Sequence, residues 1–273
     1  MASTEHLRLQ IQLERSVFSY GEPVIVVVGV SNESDDDLKD VAYLFPEVGH
    51  LNLNLERGGA HVTWTGPEDL RVFMEPGCTI PAHEAMCEVV DVADWFGEVG
   101  QAEAIRVLAP GRYKLTAGLK VHLLDREKSR DYLTSNSVEF DVNPPSRSTV
   151  SEQNGLRLLN ETYGKRSRDR APELIRRAGA VSLPGYRAGI TRLLLPWMTK
   201  EDAAAAAAAI ESEGSRYGSM WVLRAELPQV ARRYDEGMAW IAAMRTTFTS
   251  TEHRCVFNWW EQVIEQSRGR TRE

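Results

Sequence analysis

The chain is poor in cysteine: Cys78, Cys87 and Cys255 are the only three among 273 residues. An odd, low count argues against a disulfide scaffold and for free thiols in a reducing compartment. Long apolar runs are missing too. Residues 24–28 and the alanine run 203–210 are a handful of residues each, whereas a membrane-spanning helix needs about 20. Residues 1–6 lack the basic region and apolar stretch of a secretory signal. The expected setting is cytoplasmic, with no membrane contact. Catalytic signatures are absent as well. There is no Gly-x-Ser-x-Gly, papain-like Cys segment, His-Glu-x-x-His or Walker loop, and the six histidines are scattered.

Metal-ligating patterns are thin. Cys78, His83 and Cys87 are close in sequence, but residues of opposite parity on a strand face opposite sides, which works against convergence on zinc. Asp35, Asp36, Asp37 and Asp40 crowd one loop without calcium-loop spacing or a closing Glu, and read as a solvated acidic loop. No metal or cofactor is expected.

What the chain does have is a globular balance, 42% hydrophobic and 26% charged. Its net charge of −7 is unevenly spread. Residues 1–145 hold 24 acidic and 12 basic side chains; residues 146–273 hold 15 and 20. Such asymmetry bears on docking and partners.

The first half reads as strands. Leu7, Leu9, Ile11 and Leu13 alternate with polar residues, the period of a half-buried strand. Residues 23–30 are apolar almost throughout, as in a central strand covered on both faces. Leu51, Leu53 and Leu55 alternate with Asn52 and Asn54, and Gly58-Gly59 closes a hairpin. Tyr113, Leu115, Ala117, Leu119, Val121 and Leu123 give the clearest alternation, with Lys114, Thr116, Lys120 and His122 opposite. Val138, Phe140 and Val142 form the last strand. Regular strands with turns and no helical period predict an all-β sandwich.

Four segments carry a resemblance: Tyr20-Gly21-Glu22-Pro23-Val24, Ser31-Asn32-Glu33-Ser34, Ala109-Pro110-Gly111-Arg112-Tyr113 and Ser135-Asn136-Ser137-Val138. On these, residues 7–142 resemble the immunoglobulin-like domains of bacterial proteins, including macroglobulin-type and intracellular-proteinase-inhibitor-type sandwiches. The resemblance implies an antiparallel immunoglobulin-like β-sandwich. It transfers no inhibitory residue, because no inhibitory motif matches.

Asn143-Pro144-Pro145 ends the sandwich, since consecutive prolines favour an extended linker. The domains expected are 1–143, a linker at 144–150, and a helical domain at 151–273. Pro172 behind Asp169 opens one helix and Pro184 another, which stops at Pro196. Thr199-Lys200-Glu201-Asp202 is a capping box before seven alanines, with Gly214 as the stop. Residues 220–227, 228–246 and 251–266 give further helices. The sum is an all-α bundle of helical hairpins or a short solenoid, and residues 215–240 are loosely similar to a tetratricopeptide helix pair.

Two candidate binding features stand out. Lys165, Arg166, Arg168 and Arg170, with Arg176 and Arg177 beyond, form the densest basic cluster. Asp169 and Glu173 interrupt it and the chain is acidic, which argues against nucleic acid and for an acidic protein surface, this chain's own sandwich included. Trp259 and Trp260 share the last helix. Adjacent helical residues point about 100° apart, so one indole enters the core and the other edges outward as a partner anchor. The expected function is a non-catalytic protein-binding or adaptor protein. The alternatives are a hydrolase with an unorthodox site in the interdomain cleft, and an intracellular protease inhibitor.

Overall fold

The computed structural model describes residues 4–42, 44, 50–66, 78–99, 106–121, 132–162, 169–231 and 233–270. Strands fill the first half: β1 (Leu7–Leu13), β2 (Val17–Phe18), β3 (Ile25–Asn32), β4 (Leu38–Val41), β5 (Leu51–Arg57), β6 (Ala60–His61), β7 (Cys78–Ile80) and β8 (Ala85–Asp91). A short helix, α1 (Val92–Phe96), interrupts them before β9 (Glu98–Val99), β10 (Arg106–Val107), β11 (Gly111–Lys120), β12 (Tyr132–Thr134) and β13 (Val138–Val142). The second half is helical: α2 (Val150–Thr162), α3 (Ala171–Ala178), α4 (Pro184–Leu194), α5 (Lys200–Ser212), α6 (Arg216–Ala231), α7 (Tyr234–Thr247) and α8 (Thr251–Arg270). The order is β then α.

Two antiparallel sheets dominate. In one, β3 lies between β1 and β8; in the other, β2, β13, β11, β5 and β6 run in that order, with β12 also paired to β11. The β2–β13 pair alone in these two sheets is parallel. β3 is buried at six of its eight positions, as its continuous apolar sequence requires of a strand with both faces covered. β5 and β11 keep the one-face alternation read from their leucines. Asn136 closes the free edge of β1: its side chain accepts from the Ile11 N–H at 2.9 Å and donates to the Ile11 carbonyl at 3.0 Å.

The helices cover the three-stranded sheet. α6 packs on β3 and β8, and α8 packs on β8. One apolar core therefore runs through both halves, from Val28, Val30 and Leu115 to Trp221, Ile241, Phe257 and Trp259. A second, smaller core joins α2, α3 and α4 through Leu159, Leu174, Tyr186 and Ile190. The turn at Gly21 is pinched between these helices. Gly21 has φ +78°, and a Cβ on it would lie 2.5 Å from Leu159; a Cβ on Gly189 would lie 2.4 Å from the Gly21 carbonyl oxygen. Only glycine permits both the backbone and the approach.

Two helical expectations are corrected. Pro228 does not start a helix; α6 runs through it to Ala231. A proline removes one backbone hydrogen bond, and in the last turns of a helix packed on β3, β8, α5 and α7 that loss is offset. Helix α3 takes Arg170, not Asp169, as its N-cap residue. The Thr199–Asp202 capping box is present in both directions, and Gly214 follows α5 with φ +89°.

Candidate binding surface at the sheet–helix junction

The junction is built from acidic residues of the strands meeting basic residues and helix termini. Glu88 on β8 is fully buried and paired with Arg224 of α6, and it accepts the Trp259 indole N–H of α8 at 3.4 Å. Asp91, at the end of β8, caps α1 by accepting from Ala93 N at 3.0 Å and also accepts from Val24 N at 3.2 Å. Arg192 of α4 reaches Asp91 at 2.7 Å, bonds Asp94, and donates to the Arg106 carbonyl at 2.8 Å. Burial pushes the Asp91 carboxyl up to about 7, against the pull of Arg192 and the two backbone donors. Glu14, just past β1, accepts from Ser215 Oγ at 2.8 Å and from Arg216 N at 2.7 Å, capping α6.

A covalent link lies beside these contacts. Cys87 on β8 and Cys255 on α8, 168 positions apart, form a disulfide. This overturns the expectation of free thiols. Cys87 faces outward from β8 opposite Gly29, and α8 brings Cys255 over it. The spacing of the cysteines gave no hint, because the pairing depends on how the last helix docks. Cys78 stays a free thiol, buried, with burial pushing its pKa up to about 12. His83 instead pairs with Asp35 at 2.9 Å on the surface. Among the described residues no His, Cys, Asp and Glu side chains gather into a group that could hold a metal.

A Ser–His–Glu set lies behind the junction, and the sequence gave no sign of it. His253 of α8 is fully buried. Its Nε2 is 2.9 Å from Ser219 Oγ and its Nδ1 is 2.7 Å from Ser250 Oγ. Ser219 Oγ is 2.5 Å from Glu211. A hydroxyl has one proton, and two acceptors compete for it here, the Glu211 carboxylate and the Arg216 carbonyl at 2.7 Å; either takes it away from His253. Ser219 then accepts from His253 Nε2–H, while Ser250 donates to Nδ1 and accepts the His253 backbone N–H at 3.2 Å. The imidazole is neutral, in keeping with a pKa that burial lowers. It donates to Ser219 instead of taking its proton, and Ser219 is buried out of reach of substrate. The set bolts α5, α6 and α8 together.

Of the expected binding residues, Lys165, Arg166 and Arg168 lie outside the described residues. Arg170 bonds Glu173 at 3.2 Å and Glu161 at 3.5 Å; Arg177 bonds Glu161 at 2.7 Å. These arginines join α2 to α3 and hold the Glu161 and Glu173 carboxyls below their usual range. Both indoles of the tryptophan pair are interior, Trp259 at 2% and Trp260 at 5% exposure. The outward edge expected for one of them is absent because α8 is covered by β8 on one side and by α7 and α6 on others.

An open groove remains where α8 meets the β7–β8 hairpin. It has a volume of about 390 Å³. Pro81 and Ala85 contribute its accessible apolar surface over the buried Met86, Ile80 and Trp259, and Glu84, Glu261 and Glu265 its charge. Glu84 follows a tight turn in which Glu84 N bonds the Pro81 carbonyl at 3.1 Å and His83 takes φ +58°. The acidic loop noted above braces this turn: Asp37 accepts from Ala82 N at 3.1 Å, and Asp35 holds His83.

No family model matches this chain. No curated protein matches it either. Among solved structures, the CARDB domain of a Pyrococcus furiosus protein is 10% identical over 50% of this chain and 93% of that chain, with a TM-score of 0.27. The sporulation control protein Spo0M of Bacillus subtilis is 12% identical over 57% of this chain and 55% of its own, TM-score 0.27. A β-glucosidase from Listeria innocua is 15% identical over 50% of this chain and 16% of its own, TM-score 0.29. Likenesses this loose assign neither a family nor an activity. No helix among the described residues is long and apolar enough to cross a membrane.

Proposed function

We propose that the chain is a non-catalytic protein-binding module, in which an immunoglobulin-like β-sandwich and a bundle of helical hairpins together present one interaction surface. The sandwich reading is supported by the two main sheets and by Tyr113, whose hydroxyl donates to the Ala109 carbonyl at 2.5 Å, four residues upstream, as in a tyrosine corner. The observation that carries the binding reading is the groove between the β7–β8 hairpin and α8, to which both halves contribute walls. The buried polar groups at the junction are occupied in holding the halves together, and Ser219, the serine at His253 Nε2, is sealed from solvent. That favours recognition over hydrolysis.

The test is a photo-crosslinking amino acid at Gln262 in the groove, compared with one at the exposed Val150 of α2. A protein captured from Gln262 in native cells, and lost when Thr79→Trp fills the groove, is the expected result. Capture of equal amounts from both positions, or of nothing, overturns the reading.

A further inference from the structure

We propose that the groove takes a basic, extended segment of a partner protein, with one Lys or Arg side chain seated between Glu84 and Glu265. This rests on the binding reading above and names the chemistry of the partner.

The argument starts from charge. Glu261 is already matched: Arg245 bonds it at 2.5 Å and bonds its neighbour Asn258 at 2.7 Å. Glu84 and Glu265 line the same groove from opposite walls, and neither has a cationic partner among the described residues. Both are exposed. Elsewhere the acids of the strands are matched across the junction, Glu88 by Arg224 and Asp91 by Arg192. In the groove Glu84, in the turn just before β8, faces α8 with no such cation among the described residues.

Shape follows the same logic. The accessible apolar lining comes from Pro81 and the exposed Ala85, with Met86, Ile80 and Trp259 buried beneath them. A Lys or Arg side chain has an apolar stem and a charged head, and it covers apolar surface while its head meets carboxylates at the rim. A small inorganic cation would leave the apolar wall uncovered, and an apolar peptide would leave both carboxylates unmatched. The groove is bounded by a hairpin and a helix held together by the Cys87–Cys255 disulfide, so the two walls keep their spacing without a ligand. The excess of acid in residues 1–145 steers a basic segment toward this side of the molecule.

The probe is a fluorescein-labelled hexa-arginine peptide, read by anisotropy at low and physiological salt, with a hexaglutamate peptide of equal length as control. The intact chain should bind the first and not the second, more weakly as salt rises. Glu84→Gln with Glu265→Gln should weaken binding at least tenfold, and Thr79→Trp should do the same by filling the groove. Glu56→Gln with Glu201→Gln removes two charges from β5 and α5 and should change binding less than twofold. Equal weakening by both pairs means bulk charge alone, and overturns the proposal, as does wild-type binding by the groove variants. Thermal melts that match wild type show that each variant is folded. If the crosslink at Gln262 captures a protein but hexa-arginine binding ignores the groove, the basic segment is wrong and the binding reading stands. If hexa-arginine needs the groove but no protein is captured, the reverse holds.

Discussion

The Glu14 carboxylate accepts the backbone N–H of Arg216 at 2.7 Å, so a residue at the end of β1 caps a helix that begins 202 positions later. It also accepts from Ser215 Oγ, and Gln12 beside it accepts from the Tyr217 hydroxyl at 3.0 Å. A negative side chain at a helix N-terminus satisfies orphan donors and meets the positive end of the helix dipole. Glu14→Ala should therefore cost about 1 kcal/mol, within the usual range for a lost cap. A shift of the urea midpoint with unchanged slope is the expected readout; no shift would mean that water replaces the carboxylate without loss.

Glu88 poses a sharper case. Its charge is buried between Arg224 and Trp259. Removing one partner of a buried pair leaves the other uncompensated, at about 3–5 kcal/mol. Glu88→Ala should be among the most destabilising single changes in the chain. Glu88→Met combined with Arg224→Met should recover most of the loss, because apolar residues of similar size restore packing without an orphan charge. A double variant as unstable as the single one would show that the pair's fit, and not its charge balance, matters.

Protonation of His253 provides a pH test. Burial lowers its folded pKa, while its unfolded value lies near about 6.5. The unfolded chain then binds the proton more readily, so this group's contribution is present above pH about 6.5 and is lost as pH falls below it. The groups facing the imidazole are Ser219, Ser250, Glu211, Glu252 and Arg216. Asp91, raised to about 7, has the opposite slope, losing stability as pH rises from about 4 to 7. The measurement is accordingly a difference. The melting temperature of wild type minus that of His253→Gln should shrink as pH goes from 7.5 to 5.5. A constant difference would mean that the imidazole does not titrate in that window.

The Cys87–Cys255 bond closes a loop of 168 residues. Chain entropy assigns such a link about 5 kcal/mol, through restriction of the unfolded state. Denatured without reductant, the protein should show one reactive thiol, Cys78, and with reductant three. Cys255→Ser should lower the melting temperature by several degrees even under oxidising conditions. Three thiols in the denatured, unreduced protein would remove the link.

The legible part of the fold was local. β11 announced itself because Tyr113, Leu115, Ala117 and Leu119 alternate without a break, and α5 because Thr199 and Asp202 bracket a run of alanines. Helix α2 carried the same kind of signal and was missed. Thr149 and Glu152 cap each other, the carboxylate accepting the Thr149 N–H at 2.9 Å, but Thr149 sits in the stretch 144–150 that reads as linker after two prolines, and residues 151–162 of the helical domain carry no assigned helix in that reading. The groove and the junction were illegible for another reason. Glu84 and Glu265, Glu88 and Arg224, and Cys87 and Cys255 are each brought together by how α6 and α8 settle on β8. No period within either segment encodes that choice.

The distance in sequence between Cys87 and Cys255 also sets a clock during synthesis. At about 5–20 residues per second, roughly 10–30 s separate the emergence of β8 from that of its partner on α8. Throughout that interval the strand lacks the helix α8 that covers it, and Glu88 waits for Arg224 until α6 arrives. A nascent chain in this state offers a strand not yet covered by its helices to whatever else is nearby. The last helix, and not the completed sheets, is what closes the molecule, so a chain cut short before Thr251 leaves the ribosome with that strand covered by α6 but not by α8.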